Sequence, residues 1–325
     1  MPDAVRDAIV REASNCDHYP DSFSRRLREK IAAFEKVRAD WVFCGNGASD
    51  VIFRLPRAVQ AEKVMLTAPT FSDYERAARS FGADVFRHRL SVTDGFTLDS
   101  SFINAVRREK PDMVFVCNPN NPTGKLTKTR LIKDLLNYCR QANAWLVVDE
   151  CFLDFVEQAA EYTSKTFLKK YSNLVILKAF TKTFGLPGIR LGYALCADDA
   201  LISSLYFHGA DWPVSNLAQA AGIAALDGAE SFIKQTVEYV STERAAIEKE
   251  LIRLGYKHFE SKTNYVFLQN PYPYDLREEL DKMGIRIRPC GNYHGLDESF
   301  YRIAVSTNQN NFKLISAIEE ITRLL

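Results

Sequence analysis

Residues 112–124 read Asp112-Met-Val-Phe-Val-Cys117-Asn118-Pro-Asn-Asn-Pro-Thr-Gly124. The apolar run Met113–Cys117 suits a strand covered on both faces, as in a largely parallel sheet. Two Asn-Pro steps and a glycine then force an irregular turn at the strand's carboxyl end. In open α/β sheets that end is where ligands bind. Taken alone, the same residues also fit a plain Pro/Asn turn.

Similar apolar runs lie on both sides, at 41–44, 63–67, 145–149, 174–178 and 191–195, and each is expected to be a strand. Amphipathic stretches separate them. One helix is expected to begin near Thr70, whose spacing to Asp73 resembles a capping box, and to end near Phe81 before Gly82. Another is expected over 127–141, with Leu131, Ile132, Leu135, Leu136 and Cys139 on one face. Alternation of this kind reads as an α/β domain over residues 40–228. After 228 the texture changes: a long helix over 230–254, strands near 264–268, 285–288 and 301–305, and a closing helix to Leu325. These predict a smaller α+β domain of residues 229–325, completed by residues 1–39.

The chain's 325 residues suit two domains, and 42 basic against 41 acidic side chains leave a net charge of +1. That balance argues against nucleic acid or an anionic membrane as partner, so an anionic ligand must be held by local groups. Seven cysteines are scattered without C-x-x-C spacing, which fits a reducing, cytoplasmic setting. Five histidines stand far apart, and no metal site is expected. No signal-peptide core or membrane-length apolar run is present in the sequence.

Four further local patterns carry chemistry. Asp149 ends the run Trp145–Val148 and is either a helix cap or a charge aimed into a ligand site. Thr181 and Lys182 are followed by Arg190 among Gly185, Gly188 and Gly192, a loop in which cations, a hydroxyl and backbone amides converge on an anion. Gly45-Asn-Gly-Ala-Ser49 precedes a helix, and either makes an ordinary turn or offers a helix N-terminus to a phosphate. Arg302, within the apolar strand Phe300–Val305, either forms a structural salt bridge or binds a carboxylate with both nitrogens.

In order along the chain, these motifs resemble the fold-type-I pyridoxal-phosphate enzymes of the aminotransferase class I/II family, and the likeness covers nearly the whole length. It implies a large domain with a mostly parallel seven-stranded sheet sandwiched by helices, plus the smaller α+β domain. It implies Lys182 as the residue that bonds to the cofactor and later shuttles protons, and Asp149 as the partner of the ring nitrogen. Asn121 would hydrogen-bond the ring hydroxyl oxygen and Phe71 stack on the ring. Gly47, Ala48, Ser49, Thr181 and Arg190 would hold the cofactor phosphate. Tyr19 would reach the neighbouring subunit's phosphate, implying a homodimer with active sites at the interface, and Arg302 would take a substrate carboxylate. The Asn121–Pro122 bond is expected to be cis.

Two positions depart from the family pattern: Phe152 stands where many members carry a tyrosine, and Ala179 where a hydroxyl is common. The chain also begins where related enzymes are ending an extra segment with an Asn-x-Asn-Pro-x-Gly turn, an arm near the active site; either the sequence is truncated there or this member closes its site differently. Within the family the nearest likeness is to the threonine-phosphate decarboxylases of cobalamin synthesis. It rests on Asp149–Phe155, Thr181–Tyr193, Trp212–Asn216 and above all Ile287–Asp297. The histidinol-phosphate aminotransferases share the core motifs and form the alternative. Arg288 and Asn292 are candidates for a substrate phosphate or have a surface role. A cofactor-binding regulator without turnover is disfavoured, because no residues remain for a DNA-binding domain.

Overall fold

A computed structural model of the chain describes residues 1–323. Seven strands form the larger sheet: β1 (Val42–Gly45), β2 (Lys63–Ala68), β3 (Asp84–Arg89), β4 (Met113–Cys117), β5 (Trp145–Asp149), β6 (Leu174–Ala179) and β7 (Gly192–Cys196). Their order is β1-β7-β6-β5-β4-β2-β3, and only β7 runs against its neighbours.

Alternation along the central strands explains why both faces are covered. Val114, Val116, Leu146, Val148, Leu174 and Ile176 point into one buried core. Met113, Phe115, Val147, Val175 and Leu177 point into the other. Side chains two apart share a face, so a run of unbroken apolar residues fills two cores at once. The first core is closed by helices such as Thr129–Gln141, which buries Ile132, Leu135, Leu136 and Cys139. The second is closed by helices that include Ala48–Ala58, Ser72–Phe81 and Asp199–Phe207.

The smaller sheet contains β8 (Lys257–Phe259), β9 (Tyr265–Gln269), β10 (Arg288–Pro289) and β11 (Phe300–Ala304), antiparallel in the order β10-β11-β9-β8. Its core gathers Val266, Leu268, Tyr301 and Ile303 with Leu280, Leu314 and Ile318. The helix Ala229–Arg253 spans both layers: Ala229 lies in the larger sheet's core, Ile247 and Leu251 in the smaller one's. The final helix runs Asn308–Arg323; its expected continuation to Leu325 lies outside the described residues.

Some expectations meet a different arrangement. The Thr70–Asp73 capping box does not form: the Thr70 hydroxyl donates to Asn120 at 2.9 Å, and the helix starts at Ser72 without a side-chain cap. Asp73 instead accepts from Ser49 and Arg76. Strand β3 escaped the apolar reading because it is an edge strand, Asp-Val-Phe-Arg-His-Arg, with none of its residues fully buried. The strand expected at 285–288 is only Arg288–Pro289. Residues 1–39 are expected in the smaller domain, yet Val5, Leu27, Ile31 and Ala32 pack in the core that holds Ile176 and Leu195. Helix amphipathicity says that a face is buried, not against which partner.

Candidate active site

Neighbouring strand ends bring the candidate residues together. Asp149 ends β5, side by side with Cys117 at the end of β4, and Asn121 lies in the turn that follows β4. Lys182 sits in the short helix Phe180–Thr183 directly after β6. The peptide bonds preceding Pro119 and Pro122 in the Asn-Pro turn are both cis, as is that preceding Pro69. Opposite these strand ends, Arg288 and Arg302 reach in from β10 and β11. Cys117, Asn121, Asp149, Lys182, Arg288 and Arg302 all line one cavity of about 380 Å³.

Asp149 is nearly fully buried. Its Oδ2 accepts the Tyr74 hydroxyl at 2.6 Å and its Oδ1 the Cys151 amide at 2.9 Å. Burial first, and then the Asp149 charge, push the Tyr74 hydroxyl well above the usual tyrosine range, so Tyr74 remains a donor. Tyr74 stacks on Phe115 at 4.8 Å and meets the edge of Phe71 at 5.6 Å, which places both Tyr74 and Phe71 on the cavity wall.

The Lys182 ammonium is pushed below the usual lysine range, by burial first and then by the charges of Arg302 and Arg190. Such a lysine loses its proton more readily and becomes a better nucleophile. The Asn121 side-chain oxygen accepts from Arg302, leaving its Nδ2 as the free donor. Arg302 also lies 4.9 Å over the Tyr265 ring.

At the other end of the cavity the backbone approaches closely. Gly47 has φ 81°, and a side chain there would come within 2.7 Å of the Arg190 guanidinium. At Gly192 a Cβ would meet the Ala48 nitrogen at 2.3 Å, so β7 and the start of the helix Ala48–Ala58 require a glycine between them. The first-turn amides of that helix have no acceptor within the helix, and its N-terminus carries partial positive charge. Ala48, Ser49, Thr181 and Arg190 line this end. The Ser49 hydroxyl is engaged with Asp73 at 2.9 Å, so its backbone amide is the more available group.

Four cations therefore face one carboxylate in the cavity, and among the described residues none of Lys182, Arg190, Arg288 and Arg302 lies within 4.0 Å of an acidic group. Arg288 is the direct cross-strand partner of Arg302. Like charges in that position repel, so the arrangement favours an anion between or beside them. The cofactor tests well against these residues: a tight amide-and-guanidinium cradle for a phosphate at one end, a lysine of lowered pKa, and a buried carboxylate held by two donors.

Three predicted residues lie off the cavity wall. Gly47 sets its backbone against the Arg190 guanidinium. Asn292 accepts from Arg288 at 3.3 Å and lines an adjoining cavity of about 240 Å³. Tyr19 is 81% exposed and stacks on Trp212 at 4.6 Å. Tyr74 and Tyr293 also line the cavity, beyond the residues expected from the sequence. The T-F-S-D-Y run around Phe71 carries the signal for Tyr74, at one helical turn's spacing, and Tyr293 lies inside the segment Ile287–Asp297.

A sheet with one reversed strand, and a lysine, a carboxylate and an amide at neighbouring strand ends, define the aminotransferase fold of type I. The chain belongs to the aminotransferase class I and II family, whose model matches residues 1–318. It is 30% identical over 323 residues to the threonine-phosphate decarboxylase of Salmonella typhimurium, covering 99% of this chain and 88% of that relative. The crystal structure of the histidinol-phosphate aminotransferase from Clostridium acetobutylicum superposes with a TM-score of 0.92 at 28% identity, covering 100% and 96% of the two chains. The Sinorhizobium meliloti histidinol-phosphate aminotransferase, solved in complex with pyridoxal-5'-phosphate, shares the fold at 21% identity, with a TM-score of 0.87 and coverage of 99% and 87%.

Proposed function

We propose that this chain is a pyridoxal-phosphate enzyme that decarboxylates a phosphorylated amino acid, with L-threonine O-3-phosphate as substrate. When bound, the cofactor's protonated ring accepts the electron pair released at the substrate's α-carbon. Lys182 Nζ would hold the cofactor and would move a proton at the substrate's α-carbon. Asp149 holds the proton on the ring nitrogen, and Tyr74 and the Cys151 amide hold Asp149. Asn121 Nδ2 donates to the ring hydroxyl oxygen, and Phe71 covers the ring face. Gly47, Ala48 and Ser49 through the backbone, with Thr181 and Arg190, bind the cofactor phosphate.

The observation that carries the substrate class is the pairing of Arg288 with Arg302 on adjacent strands at the cavity. Arg190 serves the cofactor phosphate, so two more guanidinium groups suit a substrate with two anionic ends, a carboxylate at Arg302 and a phosphate at Arg288. Asn292 steadies Arg288 from behind. The second reading, transamination in the manner of a histidinol-phosphate aminotransferase, draws on the likeness to the Clostridium acetobutylicum structure. The two reactions differ in which bond at the α-carbon stands perpendicular to the ring, a choice made by the groups that hold the substrate.

A single-turnover experiment separates them. The cofactor-loaded chain is mixed with L-threonine O-3-phosphate while the cofactor spectrum and carbon dioxide are followed. Carbon dioxide release with the cofactor returning to its starting form establishes the decarboxylase. Conversion to the amine form of the cofactor without carbon dioxide, with this substrate or with histidinol phosphate or glutamate, establishes the aminotransferase instead. Lys182→Ala is expected to lose the absorbance band of lysine-bound cofactor; an unchanged band would refute the assignment of Lys182.

The dimer reading draws support from the exposed aromatic side chains Tyr19, Phe207 and Trp212, with Tyr19 and Trp212 stacked and free of their own chain's cavity. Their apolar surface suits burial against a second copy. The cytosol is the compartment we assign, in keeping with seven free cysteines, six of them buried. No described helix is long and apolar enough to cross a membrane.

A further inference from the structure

Behind the cavity floor lies a buried charge cluster to which the proposed chemistry gives no task. Lys178, on β6, is buried between Asp154 Oδ1 at 2.6 Å and a Glu35 carboxylate oxygen at 3.4 Å. Burial pushes its ammonium toward losing the proton, but the Asp154, Glu35 and Glu150 charges more than offset this and keep it charged. The second oxygen of Asp154, Oδ2, accepts the hydroxyl of the buried Thr183 at 2.9 Å.

Sequence position gives this cluster its meaning. Lys178 precedes Lys182 by one helical turn's worth of residues and Thr183 follows it directly. Asp154 belongs to the turn Leu153–Phe155, just beyond Asp149. One carboxylate thus grips the chain on both sides of Lys182 and ties it to the segment that carries Asp149. The helix Phe180–Thr183 is a single turn, too short to be rigid by its own hydrogen bonds. Something else must hold the lysine's backbone in place.

We propose that Asp154 is a positioning residue for Lys182: by holding Lys178 and Thr183 together, it sets where the lysine amine meets the cofactor and substrate. The proposal rests on Lys182 being the cofactor-bearing residue. Asp154 does not line the cavity, so its effect is on the placement of Nζ and not on the contacts that hold the rest of the cofactor.

The test uses the full chain freed of cofactor and two ligands. Pyridoxal phosphate condenses with the neutral Lys182 amine: a carbon–nitrogen double bond forms, and the aldehyde oxygen leaves as water with the two amine hydrogens. Pyridoxine phosphate carries an alcohol in place of the aldehyde and fills the same cavity without that bond. Asp154→Asn is expected to slow attachment of pyridoxal phosphate by about tenfold or more while changing the pyridoxine phosphate Kd by less than about twofold. Asp154→Glu is expected to recover most of the rate. Thr183→Val leaves the Lys178 ion pair in place and is expected to show an intermediate slowing, which carries the test if Asp154→Asn does not fold. Unchanged attachment in Asp154→Asn and Thr183→Val would overturn the proposal. So would a pyridoxine phosphate affinity that falls in step with the attachment rate, because that marks a cluster that only holds the fold. Failure of the Lys182 assignment itself looks different: Lys182→Ala would then attach the cofactor like the unaltered chain.

Discussion

At the scale of single residues, the cavity is an excess of positive charge around one buried carboxylate, and two consequences follow for experiment. The first concerns Lys182, whose pKa is lowered by burial and by Arg302 and Arg190. A lower pKa means more neutral amine at a given pH, so modification of Lys182 in the cofactor-free chain should reach its plateau at lower pH than that of an exposed lysine. Arg302→Gln removes one of the causes and should move this curve back toward higher pH. Trinitrophenylation followed by peptide mass spectrometry reads both effects. A curve that Arg302→Gln leaves in place would remove the electrostatic link. The second concerns Arg288. A hydrogen bond to a charged group contributes about 1.5–3 kcal/mol, so Arg288→Gln should raise KM for L-threonine O-3-phosphate roughly 10- to 100-fold. Cofactor affinity should hardly change, since the groups proposed for that phosphate are Arg190 and the amides of the helix Ala48–Ala58. If both affinities fell together, Arg288 would not be a substrate group.

At the scale of elements, the fold turns on how short segments are pinned. Glu35, at the end of the helix Arg25–Glu35, is plugged into the larger sheet: it accepts Lys165 Nζ at 2.7 Å and the Tyr193 hydroxyl at 2.5 Å, with Lys178 at 3.4 Å. Burial pushes its carboxyl up, but the ammonium charges of Lys178 and Lys165 and these hydrogen bonds bring it down to about 2, from an ordinary 4.5. A lowered carboxyl pKa favours the folded state when ionised. Its contribution is therefore complete above about pH 4.5 and is lost as pH falls toward about 2. Glu35→Gln should cost about 1.5–3 kcal/mol near neutral pH, because Lys165 loses its carboxylate partner while Lys178 keeps Asp154. Urea midpoints recorded from pH 7 to pH 2 test this. The unaltered chain should lose more stability across that range than the variant, and parallel curves would contradict the assigned coupling. The same latch explains why the N-terminal helices belong with the larger sheet's core: their charge as well as their apolar residues is matched there.

At the scale of the whole molecule, the proposed homodimer makes one more prediction. If Tyr19 completes the neighbouring subunit's site, a Tyr19→Ala chain and a Lys182→Ala chain have complementary defects. Each hybrid dimer then contains one site with both residues intact. Random reassociation should restore about a quarter of the activity, since about half the dimers are hybrids with one whole site each. Equal activity before and after mixing would place Tyr19 outside the partner's site, and sedimentation of the unmixed chain measures the dimer directly. How much of this was written in the sequence follows a physical division. The buried strands and the helix expected over 127–141 were legible, because periodicity is local; the grouping of Asp149, Asn121, Lys182 and Arg190 was implied by the family resemblance that the order of their motifs carries. The edge strand β3 was hidden by its charged residues, and the Thr70 cap failed because Asn120, distant in sequence, outcompeted the helix for its hydroxyl. Only the tertiary structure set Tyr74 behind Asp149, Arg288 opposite Arg302 and Asp154 between Lys178 and Thr183. These are contacts between segments far apart in the chain or across a sheet register, and no local pattern encodes which of many polar residues will meet.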